Sequence, residues 1–183
     1  MRRLFVGVLA ILALTPLAGG TILIKKRLSE LAREAEAIVL ARVADSRCAW
    51  NADQTLIWTT TLLDVLETWK GQPGDRIAVM EPGGEVPPVG QHVPSMARYT
   101  PGERVLVFLK KDALGQWRTH GCVQGAFRVV PDAGRVPRID LTSWHQHVME
   151  GITGAQGAGP PLTVDELRGI VSRLLEAKGG EGR

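Results

Sequence analysis

The sequence predicts a mainly β fold: a small antiparallel OB-like barrel of about six strands, with an N-terminal helix and a tethered C-terminal helix. Three observations carry that prediction. Short runs rich in Val, Ile, Leu and Thr alternate with turn signals such as Gly71-Gln72-Pro73-Gly74-Asp75 and Pro101-Gly102. Short antiparallel strands need such punctuation. The run Val105-Leu106-Val107-Phe108-Leu109 does not alternate with polar residues, so it reads as a central strand buried on both faces. Helical spacing of apolar residues is clear only near the two ends.

In chain order, a helix is expected over 25–37. Leu28, Leu31, Ala32 and Ala35 recur there at helical spacing, with Arg27, Glu30, Arg33 and Glu34 around the rest. Residues 38–43 form a first strand, and 45–53 a loop holding Cys48 and Trp50. A long strand runs from Thr55 to Lys70. Both its faces are partly apolar: Ile57, Leu63, Val65 and Trp69 on one, Leu56, Trp58, Leu62 and Leu66 on the other. A bulge or strong bend would reconcile them. Residues 76–81 form a third strand, with Ile77 and Val79 on one face.

The stretch 82–100 (PGGEVPPVGQHVPSMARYT) holds four prolines and three glycines. Proline cannot donate to a ladder, so this is no core strand; loops of this length are usually functional or disordered. The central strand follows. Residues 116–120 and 124–130 make a strand pair or one bulged ribbon around Gly121-Cys122, and 135–141 a short edge strand. Residues 151–161 read as a flexible linker. Thr163 and Glu166 make a capping box. Leu167, Ile170, Val171, Leu174 and Leu175 then form the stripe of a last helix within 162–178, stopped by Gly179-Gly180. That stripe suits docking on its own barrel or on a partner. The barrel domain is expected to span 25–150.

The N-terminus predicts export. Met1-Arg2-Arg3 is a positive n-region, Leu4–Leu14 an apolar stretch, and Ala18 and Gly20 permit cleavage before Thr21. Residues 1–20 therefore read as a signal peptide of a periplasmic or secreted protein. The alternative is an inner-membrane anchor over 4–24, because Thr21–Ile24 extends the apolar run to about 20 residues. Membrane contact is expected only through this segment. Without Arg2 and Arg3 the balance is 20 basic to 19 acidic side chains. No basic cluster is interleaved with aromatics, so nucleic acid is not an expected partner. In an oxidising compartment Cys48 and Cys122 form a candidate disulfide. It would close a loop of about 75 residues, worth about 4 kcal/mol; the alternative is two free thiols.

Several stretches together resemble a family. LAREAEAIVLARV, IWTTTLLDVLETWKG, a strand ending in PGG, PGERVLVFLKK and VQGAFRVV occur in that order over residues 28–130. They resemble a family of exported, uncharacterised bacterial proteins, and more distantly the tissue-inhibitor-of-metalloproteinase and netrin-type domain. That resemblance implies an OB-like barrel. Inhibitors of that type chelate zinc through an N-terminal cysteine. A mature chain beginning near Thr21 has none, so their mechanism does not carry over.

No nucleophile, P-loop or metalloenzyme motif is present in the sequence, so no catalytic residue and no cofactor are assigned. The metal candidates rest on spacing alone: His120 with Cys122, and His145 with His147, each pair at i, i+2. Five tryptophans stand out: Trp50, Trp58, Trp69, Trp117 and Trp144. They are expected mainly in core packing and in plugging the barrel end, although Trp50 and Trp58 flank one loop and could form a patch. The interaction-surface candidates are Trp50, Trp58, Gly83, Gly84, His92 and Tyr99. The expected function is a non-enzymatic β-barrel module that binds a protein or ligand in the cell envelope. The alternatives are a protease inhibitor acting through loop 82–100 and a small metal-dependent enzyme.

Overall fold

The computed structural model describes residues 23–131, 136–142, 145–150 and 162–177. Its elements are α1 (Leu28–Glu34), β1 (Ala37–Trp50), β2 (Ile57–Lys70), β3 (Arg76–Pro82), β4 (Gly84–Val86), β5 (Val89–Gln91), β6 (Arg104–Lys111), β7 (Trp117–Thr119), β8 (Ala126–Val130), β9 (Arg138–Asp140) and α2 (Val164–Glu176). The predicted signal peptide and the linker 151–161 lie outside the described residues, as does Trp144. Among the described residues no helix is long and apolar enough to cross a membrane.

Five strands close a barrel. β1 pairs with β2 and β2 with β3, both antiparallel. β3 meets β7 in parallel at Val79↔Trp117. β7 pairs with β6, and β6 returns to β1 from Arg104↔Arg42 to Leu109↔Ala37. Closure removes the open edges that a flat sheet would expose. β8 and β9 extend the sheet from β6.

β1 and β6 are apolar on both sides because each separates two cores. Val39, Ala41, Val43, Val105, Val107 and Leu109 face the barrel interior with Leu63, Ile77 and Val79. Ile38, Leu40, Leu106 and Phe108 face an outer layer built with α1, α2 and Phe127. β6 is thus the central strand that its unbroken apolar run predicts. A fully buried side chain of this size contributes about 1.5–3 kcal/mol, so the two-sided strands hold much of the fold.

The mixed faces of β2 are resolved by irregular register. The β1–β2 ladder shifts between Ile38 and Val39, between Leu40 and Ala41, and between Val43 and Asp45. The first two shifts leave Trp69 and Leu66 of β2 without a Cα partner in β1, and the third does the same for Ala44 of β1. Each bulge swaps which face the following residues occupy.

The Lys70-Gly71 strand end has a structural purpose. Lys70 Nζ donates to the carbonyls of Ala32, Arg33 and Ala35 at 2.8, 2.9 and 2.6 Å, so it satisfies the open C-terminus of α1. Gly71 has φ +78°, and a Cβ there would stand 2.3 Å from the Glu36 carbonyl. Only glycine allows the chain to turn this close under the helix.

The outer layer also fixes the C-terminal helix. Leu167 and Val171 of α2 are fully or almost fully buried with Leu28, Leu31 and Phe127. Arg168 pairs with Glu67 and lies 5.5 Å from the Trp69 ring centroid. The capping box forms as expected, with Thr163 Oγ1 accepting from the Glu166 amide and the Glu166 carboxylate accepting from the Thr163 amide. The stripe of α2 is therefore occupied by its own barrel.

Four details differ from expectation. The first helix is a short one capped by Arg27 and starts at Leu28, because Lys26 is drawn off to Gln124 and Glu34. The loop expected at 45–53 is largely strand, since β1 keeps pairing with β2 as far as Trp50↔Ile57. Within 82–100, β4 and β5 form a small separate hairpin. Residues 116–130 are not one ribbon: a 3-10 turn at Cys122–Gly125 separates β7 from β8.

Candidate functional site

The inward row of β3 runs Ile77, Val79, Glu81, with the outward residues exposed or half-buried between them. Period-2 geometry therefore puts a carboxylate at a core position. Glu81 is only 5% exposed. Cross-strand register adds polar neighbours. Glu81 stands opposite Thr59, and Thr59 opposite Cys48. The next rung holds Ser46 opposite Thr61. One end of the barrel interior is thus polar, where the rest is aliphatic.

This polar end opens into a cavity of about 350 Å³. Ser46, Cys48, Thr59, Thr61 and Glu81 form its floor. Its walls come from Pro82–Glu85 and from Ala97–Thr100, the two ends of the proline-rich stretch. A second cavity of about 210 Å³ lies on the other side of Ala97–Tyr99, against Arg128, Asp140 and His145.

Hydrogen bonds hold the floor. Thr59 Oγ1 donates to the Gly83 carbonyl at 2.5 Å and lies 3.4 Å from Cys48 Sγ. The Thr119 amide donates to Glu81 Oε1 at 2.7 Å. Tyr99 is buried, and its hydroxyl meets Thr119 Oγ1 at 2.5 Å. Burial pushes the Glu81 carboxyl above its ordinary range, and the Thr119 hydrogen bonds and the Arg118 charge offset only part of that. Burial likewise raises Tyr99, with the Glu81 charge adding to it. Gly84 has φ +138°, and a Cβ there would stand 2.5 Å from Thr59 Oγ1 and 2.6 Å from Cys48 Sγ. A glycine is needed where the wall crosses the floor.

The sequence candidates separate into those that meet here and those that do not. Gly83, Gly84, Tyr99 and Cys48 all line the cavity. His92 is exposed outside it, with Arg98 Nη2 3.1 Å from its Nδ1. Trp50 and Trp58 do not form one patch. Trp50 pairs with Ile57 and Trp58 with Ala49, so strand alternation sends them to opposite faces. Trp58 instead stacks under Arg118, 4.2 Å from ring centroid to guanidinium carbon. Trp69 and Trp117 pack against the two cores from their edges.

The candidate disulfide is not formed. Both cysteines are free; Cys48 sits in β1 at the cavity, and Cys122 opens the 3-10 turn after β7. Burial pushes the Cys122 thiol up, with the Glu81 charge adding to it, which disfavours the reactive thiolate.

The metal candidates are also dispersed. His120 Nε2 meets Glu34 at 3.0 Å. His145 Nδ1 accepts from the Thr142 amide at 3.2 Å, its Nε2 meets the Ala126 carbonyl at 3.1 Å, and its ring stacks on Phe127. Burial lowers the proton affinity of both His120 and His145. His147 bonds Gln124, a buried amide that also takes the Lys26 amide and donates to the Ile24 carbonyl. Among the described residues no three His, Cys, Asp or Glu side chains come together as a metal site.

Glu81 went unmarked in the sequence although its signal was present: it continues the Ile77, Val79 row by two residues. Thr59 and Thr61 likewise continue the row of Ile57 and Leu63. The chain matches no protein-family model and no curated protein.

Proposed function

We propose that the protein is an exported, non-enzymatic β-barrel module that binds a ligand or protein of the cell envelope at the polar end of its barrel. One observation carries this reading: a cavity of about 350 Å³ floored by a buried carboxylate and hydroxyls. Small-molecule sites are concavities of this order, about 300–1,000 Å³, with a few converging polar groups. The Thr119 hydrogen bonds and the Arg118 charge offset only part of the cost of burying Glu81, so the carboxylate does not add to the stability of the interior. The export half of the reading rests on the n-region, apolar stretch and small residues of 1–20. A fusion of residues 1–24 to a reporter enzyme active only outside the cytoplasm tests that half; a silent reporter refutes it. Retention of an envelope component by purified protein tests the other, and retention should fail when Gly84→Val closes the cavity.

The inhibitor reading is favoured by a separate observation. The β4–β5 hairpin is exposed around Pro88–Gly90 and held firmly at its base. Gln91 accepts from the Ile57 amide at 2.6 Å and donates to the Thr55 carbonyl at 3.1 Å, while the Gly83 amide donates to Ile57 at 2.7 Å. A rigid projecting loop suits insertion in a protease cleft. A broad panel of proteases decides it: inhibition lost on substituting Val89 supports it, and no inhibition by any enzyme removes it.

A further inference from the structure

We propose that the Glu81 cavity takes a primary ammonium group, carried by a small free amine or by a lysine side chain of a peptide. This rests on the binding-site reading above and names what the site recognises.

Three features of the cavity argue for it. First, no cation pairs with Glu81 among the described residues. Arg118, whose charge reaches it, is committed elsewhere: its Nε and Nη2 go to Asp112 at 2.9 and 2.8 Å, and its Nη1 to the Met80 carbonyl at 2.6 Å. A buried carboxylate without a paired cation is stabilised by taking up a proton or by meeting a cation from outside. Second, the floor supplies acceptors. An ammonium offers three donors and no acceptor. Glu81 brings carboxylate oxygens, Gly83 a carbonyl that already accepts from Thr59, and Ser46 and Thr61 two hydroxyls 3.5 Å apart. Third, the charges lining the cavity favour a cation. They are Glu81 and Glu85 against Arg98, and Arg98 is exposed and turned to His92. An anionic ligand would meet the Glu81 charge, and a neutral alcohol would leave it unpaired. The cavity is near the lower end of ligand-site volumes, which suits a small ligand or a single side chain ending in the charged group.

Ionisation of Glu81 couples to this binding. Burial holds its carboxyl above the ordinary range. An arriving ammonium favours the carboxylate form. Affinity should therefore strengthen as pH rises above about 4.5, the ordinary carboxyl value. The other titratable or charged groups near Glu81 are Cys48, Tyr99, Cys122, Arg118, Glu85 and Arg98. Burial holds Tyr99 and Cys122 above their ordinary values, so both stay neutral through that range.

The test is a titration of isotope-labelled protein followed through the amides of Gly83, Gly84 and Thr119. The probes are n-butylammonium, Nα-acetyl-lysine methylamide and, as the neutral isostere, 1-butanol. Both ammonium probes should move these amides, 1-butanol should bind at least tenfold more weakly, and Glu81→Gln should lose at least tenfold in ammonium affinity. Tighter binding of butylammonium assigns a free amine; tighter binding of the lysine derivative assigns a peptide lysine. Equal binding of 1-butanol, or full ammonium affinity in Glu81→Gln, overturns the proposal. If Glu81→Gln does not fold, the pH dependence of the parent protein decides: a flat butylammonium affinity between pH 4 and 7 overturns it. A small-molecule extract of the envelope separates the two levels. If the extract moves these amides and the ammonium probes do not, the binding site stands and its ammonium chemistry falls. If neither moves them, both fall.

Discussion

The two ends of the barrel interior are built on the same inward rows and finish differently. Along β3 the row passes from Ile77 and Val79 to Glu81, and along β2 from Leu63 to Thr61 and Thr59. At the aliphatic end Val39, Val107 and Leu109 close the space. At the other end β1, β2 and β3 hold Cys48, Thr59 and Glu81 in register, and a cavity remains. The aliphatic end carries stability, because every inward side chain removes apolar surface from water. The polar end costs stability unless something occupies it. Removing apolar bulk at the one end should therefore destabilise the fold, and removing the buried charge at the other should stabilise it.

The largest effects belong to the aliphatic layers. Phe108→Ala empties a fully buried site between α1, α2 and the sheet and should cost about 3–5 kcal/mol. Leu63→Ala does the same inside the barrel, at about 2–5 kcal/mol. Urea melts measure both; a loss below about 1 kcal/mol at either site would show that the layer is not close-packed as described.

A smaller loss is expected where wall meets floor. Gly84→Val forces a side chain onto Thr59 and Cys48 at a φ that L residues rarely adopt. Strain of that kind costs about 1–3 kcal/mol, and the substitution should also abolish ligand retention. Unchanged stability together with unchanged retention would mean that the Pro82–Gly84 wall does not bound the site.

Thr163→Ala tests whether α2 belongs to the outer layer. The capping box satisfies backbone donors at its start, and its loss should cost about 1 kcal/mol of global stability. If the main unfolding transition does not move, the helix melts independently and is not part of the fold.

The layers were legible in the sequence because apolar periodicity writes them directly. The unbroken run at β6, the stripe of α2 and the capping box each follow from residue type and spacing alone. Cys48 and Trp50 were less legible, because β1 continues as strand through the polar run Asp45-Ser46-Arg47, where cross-strand pairing with Thr60–Leu62 overrides local preference. The polar end was partly legible. Gly83, Gly84 and Tyr99 stood in an unusual loop, but nothing in a linear reading brings Ser46, Thr59 and Glu81 together. That juxtaposition comes from the register of three strands, and register is fixed here by bulges at positions no motif marks. The cysteine pair shows the converse: an even number and an expected oxidising compartment make a bond a candidate, and the fold puts one thiol on a barrel strand and the other on a turn beyond β7.

The smallest stability effect should come from the residue at the centre of the site. Glu81→Gln preserves the shape and removes the ionisable group. Below pH about 4.5 the parent carboxyl is protonated in both folded and unfolded chains, so the two proteins should unfold at nearly the same urea concentration. The folded carboxyl sits above its ordinary value because of burial. As pH rises past about 4.5 the unfolded chain ionises first, and the folded state of the parent holds the extra proton. Stability then falls with pH until the folded carboxyl itself ionises. The Gln variant lacks this loss. The variant should therefore overtake the parent between pH 4.5 and the folded pKa and keep its lead at neutral pH. Saturating n-butylammonium should restore the parent alone. A Gln variant less stable than the parent at pH 7 without ligand would show that Glu81 is a structural charge, and the contrast between the two ends of the barrel would fail at the residue that defines it.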